Sequence, residues 1–166
     1  MKKWLIGIAG LFLLPAGVAA LVGALLPVEH VAARTVEVGH GPEVVWGVLV
    51  DRRAYVEWRA EVVEVVLQGD GTAWCESYAG GERLCFVAVE ETAPRRLVHR
   101  LVGEDLPFGG DWTFELEPAA PGCRMTIAER GRVYNPMYRF FARFALGHGN
   151  SIDRFLSDLE ARLAQG

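Results

Sequence analysis

Few side chains in the 166-residue chain stand where they could do chemistry, and Glu129 comes first. Strand parity carries it inward with Met125 and Ile127. A carboxyl group buried there without a cation would have its pKa raised and could donate a proton. Paired with Arg100 or Arg130 it would instead orient a ligand or brace the sheet, and bracing is the preferred reading. His99 could act near neutral pH, where an unperturbed imidazole changes charge, yet a lone histidine between Val98 and Arg100 is more often satisfied within the structure. Glu129 and His99 are therefore the candidates for proton transfer, and no catalytic set is assigned.

Other chemistries find little support. His30, His40, His99 and His148 are dispersed, and no pair has the close spacing of a zinc site. The run His40-Gly-Pro-Glu-Val44 lacks the lysine and Ser/Thr of a nucleotide loop, and Ser77, Ser151 and Ser157 stand in no nucleophile elbow. No metal and no cofactor is expected. Cys75 and Cys85 flank the Gly80-Gly81 turn and would face each other across the hairpin. They would bond if they shared a non-hydrogen-bonded pair, and two core thiols are taken as the default. Cys123 has no assigned partner.

The elements that must position these residues follow from hydropathy period. Residues 33–38 alternate as a first strand, and Gly39-His40-Gly41 ends it. Pro42 suits a helix start, with Val44, Val45, Val48 and Leu49 giving a buried side to a helix that ends near Asp51; a second short helix covers 52–58. The period then changes to two. Strands are predicted at 62–67, 72–78, 83–89, 96–102, 112–117 and 123–129, punctuated by Gly69-Asp70-Gly71, Gly80-Gly81, Pro94, Gly109-Gly110 and 118–122. Asn135-Pro136 caps a long final helix over 136–163. Its broad apolar face includes Met137, Phe140, Phe141, Phe144, Ile152, Phe155 and Leu159, and Gly147, Gly149 and Asn150 predict a bend or short break.

Trp4 to Leu26 is a run of 23 residues without a charge, preceded by Lys2 and Lys3. As a helix it would reach roughly 35 Å, enough to span a bilayer core, with a kink at Pro15. The reading is a transmembrane anchor over 1–27 and one domain over 28–166. The competing reading is a cleaved signal peptide with Val31-Ala32-Ala33 as its small-residue site. The two lysines favour an inside N-terminus and so an extracytoplasmic domain. Past Pro27, 15 arginines stand against 21 carboxylates, a net charge of −6 that would repel a phosphate backbone, and nucleic acid is not expected as a partner. A membrane lipid bilayer is.

One strand, two short helices, six antiparallel strands and a long helix is an order that resembles the START-like, polyketide cyclase/dehydrase-type (SRPBCC) superfamily. The resemblance runs over about residues 31–164. It is carried by Pro42, Val45, Trp46, Val50 and Trp58 in the stretch 41–58, and by 112–131 followed by 135–144, which look like the sheet exit and helix start of membrane-anchored members. Many relatives end the second helix in Trp-Asn, whereas Trp58 is followed here by Arg59. The resemblance implies an α+β helix-grip fold: a curved antiparallel sheet around the C-terminal helix, with a cavity between them for an apolar or amphipathic small molecule. Residue reasoning supports this partway, because one helix covers so wide a concave face incompletely and leaves space near its ends. The candidate lining is Trp58, Leu97, His99, Leu101, Trp112, Phe114, Leu116, Met125, Ile127, Glu129, Phe140, Phe141 and Phe144. The expected function is membrane-tethered binding of a hydrophobic small molecule such as a lipid, quinone or polyketide-like compound. The rivals are a cyclase or dehydratase using Glu129 or His99, and an interaction domain without a ligand. Oligomerisation is left open.

Overall fold

The period-two runs beyond residue 61 become strands that pair with their neighbours in sequence. In the computed structural model, which describes residues 17–103, 106–146 and 150–165, the order of elements is β1 (Glu29–Val38), α1 (Pro42–Val50), a 3-10 turn (Arg52–Ala54), α2 (Tyr55–Trp58), β2 (Val62–Gln68), β3 (Ala73–Tyr78), β4 (Arg83–Thr92), β5 (Arg96–Val102), β6 (Phe108–Ala119), β7 (Gly122–Val133), α3 (Pro136–Phe141), a π-helical turn (Ala142–Leu146) and α4 (Asn150–Leu163). The seven strands form one antiparallel sheet in the order β1-β7-β6-β5-β4-β3-β2. The α1–α2 pair therefore connects the two outermost strands. Against its inner face lie Ile152, Phe155, Leu156 and Leu159 of α4 and Val45 and Leu49 of α1, which close a core over Leu97, Leu116, Met125 and Ile127. This is the expected α+β helix-grip arrangement.

Polar contacts fix the helix to the sheet and its connections. Arg34 of β1 donates through Nε to Asp153 at 2.8 Å, the Ala60 amide donates to Asp158 at 3.1 Å, and Arg154 pairs with Glu61. The outer face carries exposed ion pairs between neighbouring strands, including Arg100 with Asp111 and Arg124 with Glu37. Each contributes little alone, and together they keep that face wet.

Several boundaries differ from the hydropathy reading for identifiable reasons. β4 runs on to Thr92 because a bulge between Ala88 and Glu90 interrupts its alternation without ending its pairing with β5. Gly109-Gly110, read as punctuation, lies inside β6. Gly110 has a φ of +148° opposite Gly131, and a Cβ there would fall 2.3 Å from the Arg130 carbonyl oxygen, so the glycine serves close strand approach. Cys75 and Cys85 do pair across β3 and β4 and form a disulfide, which corrects the default of two thiols; Cys123 is free and buried.

The final segment, expected to carry a bend or short break, is described in two parts. Asn135 caps α3 by accepting from the Met137 amide at 2.8 Å, the π turn follows over Ala142–Leu146, and α4 is described from Asn150. The glycines expected to cause the bend, Gly147 and Gly149, lie outside the described residues. Among the described residues no helix is long and apolar enough to cross a membrane. Residues 17–25 are helical, while 4–16 of the expected anchor lie outside the described set.

Candidate functional site

The inward side chains of the sheet stand in rows across the strands, and those rows decide what is sealed and what is open. Leu97, Phe114 and Ile127 are register partners across β5, β6 and β7, and the next pair is Leu116 with Met125. These five lie within 2% of full burial under α1 and α4. One register step in the other direction, His99, Trp112 and Glu129 form the next row, which α4 covers only in part, through Phe155 on Trp112 and Ser151 on Glu129. A cavity of about 280 Å³ opens over that row and continues toward β3 and β4. Its apolar walls are Trp74, Leu84, Phe86, Leu101, Trp112, Phe114 and, from α4, Phe155. Phe155 contacts Trp112 and Phe114 at ring-centroid separations of 5.9 and 5.4 Å, so the helix closes one wall through an aromatic cluster.

Alternation on β3 sends Trp74, Glu76 and Tyr78 to this same side. Glu76 is only 2% exposed and is met by three donors: Trp74 Nε1 at 2.8 Å on one oxygen, Arg59 Nη1 at 2.6 Å and the Tyr78 hydroxyl at 2.6 Å on the other. Arg59 follows α2 directly, and its guanidinium also lies over the Tyr55 ring at 5.2 Å. Burial, reinforced by the Glu76 charge, pushes the Tyr78 hydroxyl's pKa well above its usual value. The carboxylate is thus a structural counter-charge with both oxygens occupied. Using it as a proton acceptor would require breaking that set.

His99 is the opposite case. Its ring is 6% exposed, edge-on to Trp74 at 4.6 Å and to Phe114 at 5.4 Å, and its Nε2 has no hydrogen-bond partner among the described residues. Burial, followed by the nearby positive charges of Arg52 and Arg59, lowers its pKa to about 3. The imidazole is therefore neutral across the physiological range, too weak a base for efficient proton abstraction and uncharged as an acid. What it retains is one unsatisfied polar atom beside an apolar space. Such an atom costs stability unless a guest or a water completes it.

Five of the thirteen residues proposed from sequence line this cavity: His99, Leu101, Trp112, Phe114 and Glu129. Trp58, Leu97, Leu116, Met125 and Ile127 share the inward side but are sealed within the core. Phe140 and Phe141 on α3 and Phe144 on the π turn do not line the cavity; Phe141 and Phe144 are exposed. Glu129 stands near the rim, accepting from Ser151 Oγ at 3.0 Å with His30 Nε2 at 3.7 Å, rather than beside Arg100, which bonds Asp111. Sequence reasoning missed Tyr55, Arg59, Trp74, Glu76, Tyr78 and Phe155. A glutamate flanked two residues away on both sides by Trp and Tyr was the available signal.

Residues 29–164 match the model of a family described as polyketide cyclase/dehydrase and lipid transport. Among solved structures, the chain is similar to a START superfamily protein from Mycobacterium smegmatis, with 19% identity, a TM-score of 0.65 and coverage of 82% of this chain and 98% of that one. It is similar to norcoclaurine synthase from Thalictrum flavum, with 11% identity, a TM-score of 0.67 and coverage of 90% and 92%. It also resembles the di-domain ARO/CYC StfQ of the steffimycin biosynthetic pathway, with 12% identity and a TM-score of 0.65, covering 81% of this chain and 50% of that one. Identities this low establish a shared fold alone. No curated protein matches the sequence.

Proposed function

Because the chain belongs to the polyketide cyclase/dehydrase and lipid transport family, we propose that it binds one hydrophobic small molecule in the cavity between β3–β7 and α4, without turning it over. The observation that carries this reading is the contrast within the cavity wall. Apolar and aromatic side chains make up most of the inner surface, the carboxylate of Glu76 is fully engaged, and His99 Nε2 is the buried polar atom left for a guest. A neutral imidazole nitrogen hydrogen-bonds a single hydroxyl or carbonyl oxygen according to its tautomer, so it orients a ligand without supplying charge. The ligand is then an apolar body carrying one such oxygen, a description met by a lipid, a quinone or a polyketide-like compound. More polar ends would lie toward the rim, where Glu61, Glu129, Arg154 and Asp158 stand.

The second part of the proposal is the tether. Residues 4–26 hold the domain at a bilayer as a single-pass anchor, with the domain on the extracytoplasmic side, as the uncharged run and the preceding Lys2 and Lys3 support. An apolar guest then reaches the cavity without crossing bulk water. Purifying the full-length chain from its membrane and analysing the solvent extract by mass spectrometry tests the binding claim. An apolar compound at about one per chain, absent from an equally well folded Leu101→Trp variant, is the expected result. Identical extracts from the two proteins would end this reading.

A further inference from the structure

Tyr134, Tyr138, Phe141 and Phe144 are all about half exposed or more within eleven residues, on the segment that leads into and through α3 and its π turn. Soluble surfaces scatter such side chains singly; a cluster of four needs a partner. The segment's charge is equally distinctive. Between Glu129 and Asp153 the sequence has no carboxylate but holds Arg130, Arg132, Arg139 and Arg143, in a domain whose net charge past Pro27 is −6.

The same segment is fastened to the end of the uncharged N-terminal run. Arg139 Nε donates to the Gly23 carbonyl oxygen at 2.7 Å, and its Nη1 donates to the Val133 carbonyl at 3.2 Å. At the crossing point a Cβ on Gly23 would lie 1.9 Å from the Pro136 carbonyl oxygen, so the approach depends on glycine. Beside this contact Val18, Leu21 and Leu25 of the helical stretch 17–25 are exposed. Wherever the run beginning at Trp4 enters lipid, α3 is held at its exit.

We propose that α3 and the π turn form an interfacial face seated on an anionic bilayer, with the four aromatic rings at headgroup depth and Arg143 among lipid phosphates. This rests on the tether proposed above and adds which surface of the domain meets the lipid. Tyrosine and phenylalanine beside arginine, in a stretch of sequence that itself holds no carboxylate, suit that layer: the rings enter the headgroup boundary and the guanidinium stays with phosphate. The placement also serves the cavity. The Tyr134 amide donates to the Pro107 carbonyl at 2.9 Å, and its hydroxyl lies 3.2 Å from the Cβ position of Gly109, a lining residue next to Phe108. The lipid face and the cavity wall therefore adjoin.

The full-length chain, reconstituted in phosphatidylcholine vesicles containing phosphatidylglycerol, tests this by nitroxide accessibility at Phe141→Cys and Phe144→Cys. Leu13→Cys in the uncharged run and Val63→Cys on β2 are the references. The expected oxygen-to-nickel-chelate collision ratio at 141 and 144 is several-fold above that at 63. Gly23→Val should bring it down toward the value at 63 while leaving position 13 unchanged. An aqueous ratio at 141 and 144 with a lipid ratio at 13 overturns the docking face and leaves the tether standing. An aqueous ratio at 13 overturns both. Spin–spin broadening between chains at 144 without an oxygen preference assigns the face to a second copy and overturns the proposal as well.

Discussion

With a folded-state pKa near 3 against 6.5 for an unperturbed histidine, His99 makes stability depend on pH in a definite direction. Below pH 6.5 the unfolded chain takes up a proton that the native ring refuses, so this stability is lost as pH falls from 6.5 toward 3. At pH 5 the loss from this residue is about 2 kcal/mol. Urea midpoints at pH 7 and pH 5 should therefore diverge more for the wild type than for His99→Gln; equal divergence would remove the buried neutral imidazole from the account. Glu76 makes a second test. Glu76→Gln leaves the Arg59 guanidinium without its counter-charge and should cost about 3 kcal/mol, whereas Glu115→Gln in an exposed pair with Arg96 should change little. A double-mutant cycle with Arg59→Met that showed no coupling would mean that the pair is not formed. His99, Trp112 and Glu129 were legible because strand parity needs only local sequence. The Glu76 cluster was not, because its cation comes from the end of a helix 17 residues away, and no periodic pattern records that meeting.

Elements were legible wherever one face is wet and the other dry. The alternation of 96–102 and 112–117 gave the right inward sets, whereas the pairing of His99 with Trp112 and of Trp112 with Glu129 is a matter of register that alternation alone does not set. What parity could not supply was depth along the strand: Leu97 and Leu101 point the same way, but only Leu97 is covered by helix. Nor could a helical wheel drawn across 136–163 show that the residues of α3 and the π turn lie off the cavity. That is why Phe140, Phe141 and Phe144 entered the candidate lining although they do not border this cavity. The β3–β4 hairpin shows a different limit, since the disulfide depends on register to a single residue. Unfolded, unreduced chain should titrate one thiol, Cys123, and three would exclude the bond. Joining positions ten apart in sequence, the bond closes a small loop. Reduction should cost about 3 kcal/mol on the chain-entropy model, read as a lower denaturant midpoint under reducing conditions.

At the scale of the whole molecule, the sheet is wider than α4 can cover, and the uncovered part lies beside β3 and β4. Packing at ordinary interior density would be more stable than an open apolar space, so a domain that keeps the space gives up stability for it. This yields a prediction with opposite signs in two assays. Leu101→Trp extends an aromatic ring into the cavity; in delipidated protein it should raise stability by about 0.5–2 kcal/mol, the range usual for filling a void. The same variant should lose the stabilisation that the wild type gains when an extract containing the co-purifying compound is restored, because only the native state of the wild type binds it. Thermal unfolding of both proteins with and without the extract reads the two effects together. If Leu101→Trp instead lowers stability by more than about 2 kcal/mol, the penalty is that of overpacking a closed interior, and no room for a guest exists.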